Sequence, residues 1–307
     1  MDSFAARLAA AIRRCKTPVL VGLDPRFESL PELLTTGLQK TNPVEVAGAY
    51  EAFCKDVIDV VAPLVAAVKP QAAFFEQVGV PGMAALAATI AYARQQGLLV
   101  ILDGKRNDIG STATAYADAY LGPPEMSPWG ADALTVSPYL GADSLTPFVD
   151  VCRDRSSGIF VLVKTSNPGG GLFQDVADVN GPLFLHVARH VETLADASRD
   201  AGNYGAVGAV VGATYPEQLA ELRDVMPHAW LLVPGYGAQG GTAADVAGAF
   251  DREGLGAVVN SARGIIFAHA RPEYRDRFAA NQWQLAVEAA ATEMIASLRD
   301  HTPARAL

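Results

Sequence analysis

Eight short apolar runs, separated by longer stretches of helical pattern, constrain this chain more than any other feature. They are PVLVGLD (18–24), LVAAVKP (64–70), LLVILD (98–103), ADALTVS (131–137), GIFVLVKT (158–165), GAVGAVVGA (205–213), AWLLVPG (229–235) and GLGAVVNS (254–261). Each is nearly continuous in apolar character rather than alternating, the pattern of parallel strands covered on both faces. Between them lie segments such as GMAALAATIAYARQQG and PEQLAELRDVM. The second opens on Pro216 two residues after Thr214, which suits a first helical turn. Strands and helices in eightfold alternation predict an α/β fold, a (β/α)8 TIM barrel, with a doubly wound open sheet as the alternative. No linker, low-complexity tract or charge block interrupts the chain. Residues 1–307 therefore read as one barrel domain with an N-terminal helix and a C-terminal helical extension. Two connections, 25–49 and 114–130, are long for a compact barrel, and such excursions are more often functional or intersubunit than idle.

The charge balance narrows the partners. A formal net charge of −9 argues against a surface built to neutralise nucleic-acid phosphates or anionic lipid, leaving room for one local basic site. Half of the residues are hydrophobic, which is ample for a core, yet no run approaches membrane-spanning length. The N-terminal MDSFAARLAAAIRRCK spaces Phe4, Leu8 and Ile12 as a helix and lacks the apolar centre of a signal peptide. Cys15, Cys54 and Cys152 are odd in number and far apart, forming neither a disulfide framework nor a C-x-x-C motif. These features lead us to expect a cytoplasmic chain acting on a small molecule, with no nucleic-acid or membrane partner.

Barrel sites gather at the carboxyl ends of the strands. Here those ends read Asp24, Lys69, Asp103 with Lys105, Ser137, Lys164 with Ser166, Thr214, Pro234 to Gln239, and Asn260 to Arg263. Any one of them could be a solvated loop residue. Solvated charges have no reason, however, to recur at the same strand position. The last two ends differ in kind: VPGYGAQGG offers glycines and Gln239, and NSARGI offers the fork of Arg263, a set suited to a phosphate. Gly235 to Gly240 formally matches G-x-G-x-x-G. It lies in the seventh unit, and the next strand ends in Asn260 rather than an acid for a ribose, so a phosphomonoester fits better than a dinucleotide. His186 and His190 share a helix face at metal-ligand spacing but have no evident third ligand, which favours a surface or packing role. NPGGG (167–171) lacks the follow-up of a P-loop and reads as a mobile turn beside Ser166.

The chemistry concentrates in VILDGKRNDIGSTA, 100–113, where Lys105 stands between Asp103 and Asp108. Opposed to a phosphate clamp, this arrangement suggests a substrate anchored remotely while strain acts where a bond breaks. Two aspartates would repel a substrate carboxylate and lose that penalty as carbon dioxide leaves. An adjacent ammonium would stabilise the carbanion left behind and then protonate it. No metal set or Schiff-base cofactor is indicated.

LDGKRNDIGSTA resembles the D-x-K-x-x-D-I signature of the orotidine 5′-phosphate decarboxylase family. GLDP, VKPQAAFFE, SPYLG, KTSNPGG, VVGAT, PGYGAQGG and NSARGI resemble its other blocks in the same order, from residue 18 to residue 265. The long connections are similar to those of its longer bacterial branch. The resemblance implies cofactor-free decarboxylation of orotidine 5′-phosphate to uridine 5′-phosphate on a barrel, the last step of de novo pyrimidine synthesis. It implies that Asp24 and Lys69 hold the ribose hydroxyls, and that Lys69, Asp103, Lys105 and Asp108 form a charged tetrad. Lys105 is then the proton donor to C6. In a homodimer, Asp108 would enter the opposite subunit's site, with Ile109 and Thr112 beside it. Ser166 would read the pyrimidine edge, Pro234 line the base pocket, Gln239 bridge base and phosphate, and Arg263 grip the phosphate. Ser137 stands where many members carry Asn.

Two other functions compete with this one. A magnesium-dependent decarboxylase of a phosphorylated sugar acid shares D-x-K-x-x-D, but its metal needs an extra acid at strand end one or two, and Lys69 occupies the second. A non-catalytic phosphate-binding barrel would gain nothing from acids that repel a carboxylate around an intact Lys105.

Overall fold

The computed structural model describes residues 2–200, 202–237 and 240–307. Eight parallel strands close into a barrel: β1 (Val19–Leu23), β2 (Ala67–Pro70), β3 (Leu99–Arg106), β4 (Ala133–Val136), β5 (Gly158–Lys164), β6 (Val207–Val211), β7 (Leu231–Val233) and β8 (Ala257–Ser261). Neighbours pair in sequence order, and β1 closes the ring on β8 through Val19 opposite Val259 and Leu20 opposite Asn260. All eight expected strands are present, which decides for the barrel over the open sheet. Outside the ring, Ala177–Asp178 and Gly181–Pro182 form a small antiparallel ladder.

The continuous apolar runs are explained by two packed layers. Leu20, Ala67, Ile101, Ala133, Phe160, Val210, Leu232 and Val258, one from each strand, fill the barrel interior. The alternate residues, such as Val21, Val68, Val100, Leu134 and Val161, pack outward against the helices. The N-terminal helix Phe4–Cys15 closes the bottom. Ser3 caps it by accepting from Ala6 N–H, and Phe4, Leu8 and Ile12 bury one face against the interior layer. Phe4 meets Phe160 edge-on at 6.0 Å between ring centres. Gly158 makes room for it, since a Cβ there would lie 2.3 Å from Phe4 Cδ1. The C-terminal helix Trp283–His301 docks through Trp283, which stacks on Phe53 of the helix Pro43–Val61.

Several boundaries differ from those expected. The connection after β1 shortens because Asn42 caps a helix at Pro43, its side chain accepting from Val44 N–H. Residues 114–120 belong to the helix Gly110–Tyr120, whose small-residue composition hid its periodicity. Thr214 does not cap Pro216–Val225; the cap position is Tyr215, without a side-chain bond. The consequential difference is at β3, which continues past Asp103 to Arg106 through an irregularity.

Candidate active site

β2 and β3 build the centre of the site. Gly22 lies opposite Lys69 in the β1–β2 register, and an isolated bridge sets Gln71 beside Asp103. These pairings bring Lys69 and Asp103 to the same end of two adjacent strands. Lys69 is 4% exposed and Asp103 8%. Lys69 Nζ donates to Asp103 Oδ2 at 2.8 Å, and Lys105 Nζ donates to Asp103 Oδ1 at 2.6 Å. Within one chain, therefore, an aspartate stands between two lysines. The lysine between two aspartates, read from the linear sequence, is not what the single chain displays.

This geometry sets the charges. Burial pushes the Asp103 carboxyl up, but Lys69 and then Lys105 outweigh it and hold the group well below the usual carboxylate range. Burial opposes the Lys69 ammonium, yet Asp103 and Asp24 raise its pKa above the ordinary lysine value. Asp24 has the opposite balance: burial lifts its carboxyl, Lys69 lowers it, and the Asp103 charge lifts it again, for a net rise. Its Oδ1 is buried with no hydrogen-bond partner among the described residues.

A cavity of about 250 Å³ joins Lys69, Asp103 and Lys105 to Ser166, Pro234 and Leu232. Asp24 lies in an adjoining groove that Lys105 also lines. Ser166 is seated against the end of β6 at Gly212, where a Cβ would fall 2.8 Å from Ser166 Cβ. The turn beyond Ser166, expected to be mobile, is tied at both ends. Gln174 accepts from Thr165 N–H at 3.0 Å and donates to Thr165 Oγ1 at 2.7 Å, while Lys164 pairs with Asp175.

Not every strand-end residue joins this centre. Lys164 turns away, its ammonium 5.1 Å from the ring centres of both Phe184 and Tyr215. Ser137 lines a separate apolar cleft with Pro138, Tyr139, Phe184, His186 and His190. His186 Nε2 meets Asp178 Oδ1 at 2.9 Å. Asp108 stands apart from Asp103. Its Oδ1 accepts from Ile109 N–H at 2.8 Å, and among the described residues no ion pair joins it to Lys69 or Lys105. Ile109 and Thr112, next to it at the start of the helix Gly110–Tyr120, are exposed. Arg263 is exposed just past the end of β8. Gly22 allows β1 to approach there, since a Cβ would meet Ala262 Cβ at 2.6 Å. Gly235, Gly237 and Gly240 all have positive φ, which folds the loop after β7 tightly. Gln239 lies outside the described residues.

Sequence reasoning missed one residue at this centre. Thr135 of β4 lines the cavity, and its hydroxyl lies 2.9 Å from both Asp103 Oδ1 and Lys105 N. The signal available was its inward position in a strand, two residues before the strand end that drew attention.

Comparison with known proteins agrees over nearly the whole length. The family model described as "Orotidine 5'-phosphate decarboxylase / HUMPS family" matches residues 17–275. A protein of Rhodopirellula baltica named orotidine 5′-phosphate decarboxylase is 58% identical over 301 residues, covering 97% of this chain and all of its own. A Deinococcus radiodurans protein of the same name is 45% identical over 255 residues, or 82% of this chain and 85% of its own. The structure of Leishmania donovani OMP decarboxylase superposes with a TM-score of 0.74 at 33% identity, covering 97% of this chain and 98% of that one. Among the described residues, no helix is long and apolar enough to cross a membrane.

Proposed function

This chain belongs to the orotidine 5′-phosphate decarboxylase family, and from that premise we propose how its residues divide the reaction. The enzyme converts orotidine 5′-phosphate to uridine 5′-phosphate and carbon dioxide, completing the synthesis of uridine monophosphate. The observation that carries the residue assignment is the Asp103 carboxylate bonded by Lys69 on one oxygen and Lys105 on the other.

Asp103 stays ionised and faces the substrate carboxylate. That repulsion is relieved as the C6–carboxylate bond breaks and neutral carbon dioxide departs, leaving the bonding electron pair on C6. The Lys105 ammonium stabilises the developing carbanion and transfers a proton to it. The Lys105 side chain is 48% exposed, so solvent can return the proton afterwards. Lys69, buried and paired, is a fixed positive charge rather than the donor. Asp24, whose buried oxygen has no partner among the described residues, accepts from a ribose hydroxyl, and Lys69 donates to one. Ser166 and Pro234 contact the base. Arg263 and Gln239 hold the phosphate, whose binding energy offsets the unfavourable contact at the reacting end. The reaction draws on no cofactor.

The separation of Asp108 from Lys105 within the chain supports a homodimer in which Asp108, with Ile109 and Thr112, completes the partner subunit's site. We further read residues 1–307 as one barrel domain acting in the cytoplasm. Turnover of orotidine 5′-phosphate by chelator-treated protein tests this reading. Full activity is expected. A strict magnesium requirement would transfer the assignment to the sugar-acid branch, and binding without turnover to a phosphate-ligand binder.

A further inference from the structure

Thr135 sits where the β3–β4 ladder loses its register. β3 advances four residues, from Leu102 to Arg106, while β4 advances two, from Leu134 to Val136. Thr135 is the β4 residue opposite the surplus, and the surplus contains Asp103 and Lys105. Bulges of this kind re-aim side chains at the rims of barrels and leave backbone groups without ladder partners. Lys105 shows the result: its φ is +45°, in the left-handed region that a non-glycine residue rarely occupies.

The Thr135 hydroxyl satisfies what the ladder does not. Lys105 N–H donates to Oγ1 at 2.9 Å, and the hydroxyl donates to Asp103 Oδ1 at 2.9 Å. An ionised Asp103 can only accept, so the hydroxyl proton must point to it and an oxygen lone pair must face Lys105 N–H. The residue is 1% exposed, so water is poorly placed to replace it. Lys105 Nζ bonds the same Asp103 oxygen, which closes a loop from backbone to hydroxyl to carboxylate to ammonium.

We infer that Thr135 is a positioning residue for proton transfer, its hydroxyl holding the Lys105 backbone in the left-handed conformation that aims the ammonium at Asp103 and the reacting carbon. Thr135 acts through Lys105 and Asp103, the two partners of its hydroxyl. This inference rests on the reading of Lys105 as the proton donor.

The test compares Thr135→Ser, which keeps the hydroxyl, with Thr135→Ala, which removes it; both lack the methyl. For each, kcat and KM for orotidine 5′-phosphate and the Kd of uridine 5′-phosphate are measured. Thr135→Ala is expected to lose about tenfold or more in kcat, with the Kd of uridine 5′-phosphate within about threefold of the parent. Thr135→Ser should retain kcat within about threefold. Equal kcat losses in Ser and Ala, or a kcat loss matched by an equal loss of uridine 5′-phosphate affinity, would overturn the inference and assign Thr135 to packing. Wild-type kcat in Thr135→Ala would overturn it too. If Thr135→Ala does not fold, Thr135→Val is read against Thr135→Ser by the same criteria. Lys105→Ala separates the two readings: a dead Lys105→Ala beside an unaffected Thr135→Ala removes the Thr135 role alone, whereas an active Lys105→Ala removes the donor assignment beneath it.

Discussion

Lys105 places its ammonium 2.6 Å from Oδ1 of Asp103, two residues earlier on the same strand, and does so from a backbone φ of +45°. In a regular strand, residues two apart share a face, but their side chains stand side by side. Here the backbone between them leaves the ladder, and the two charged ends meet over the barrel mouth. Asp103 is thereby compensated from both sides and held in its ionised form, and one of its two lysine partners stays accessible to solvent. A buried acid held in its charged form next to a solvent-reached ammonium suits the decarboxylation and proton return proposed for this site.

The two aspartates of the mouth should respond to pH in opposite senses. Asp103 is held below the usual carboxylate range, so its contribution to stability is complete above the unfolded value of about 3.9 and is lost as pH falls through its lower folded value. Asp24 is raised, chiefly by burial, so its ionised form opposes folding, and that cost disappears as pH falls through its folded value toward about 3.9. Asp24→Asn should therefore raise the melting temperature at pH 7 while lowering activity, and the gain should shrink on acidification. A gain that grows on acidification would reverse the assignment.

Arg263→Ala should lower kcat/KM for orotidine 5′-phosphate by about two orders of magnitude or more, on the order of 3 kcal/mol for a lost charge-assisted fork. The phosphate-free nucleoside should be affected little by the same change. Equal losses on both substrates would make Arg263 a structural residue.

At the opposite end of the barrel, Gly158→Ala should reduce stability without reducing turnover. The added methyl would collide with Phe4 at the closed bottom, and overpacking of that kind costs about 1–3 kcal/mol. Activity depends on the other mouth. Chemical denaturation and kcat measured on one preparation check both halves, and a matched fall in kcat would show that the two ends are coupled.

The strands were legible in the sequence because burial on both faces demands uninterrupted apolar runs, and all eight runs were of that kind. Lys69, Asp103, Lys105, Ser166 and Pro234 were legible because barrel geometry sends strand ends to one cavity. What hid Thr135 was the bulge. A register shift has no compositional signature here, so the third run was read only to Asp103, and Thr135, inside the fourth run, was not singled out. Lys164 and Ser137 illustrate the reverse error, since position at a strand end does not specify which way a side chain turns. Lys164 found Asp175 and two aromatic rings instead of the mouth. The linear order Asp103, Lys105, Asp108 suggested a lysine between two acids, but Asp108 falls where β3 has already ended, outside its own chain's network.

That separation supports the proposed site completed across a homodimer, and subunit complementation tests it. Lys105→Ala and Asp108→Ala homodimers should each be nearly inactive, because every site lacks one member of the tetrad. Mixed by unfolding and refolding, they should form heterodimers with one doubly defective site and one intact site. Random assembly makes about half of the dimers mixed, so roughly a quarter of all sites should regain parental turnover, given isologous twofold pairing. No recovery, with heterodimers verified by mass spectrometry, would place Asp108 in its own subunit's site and contradict the account.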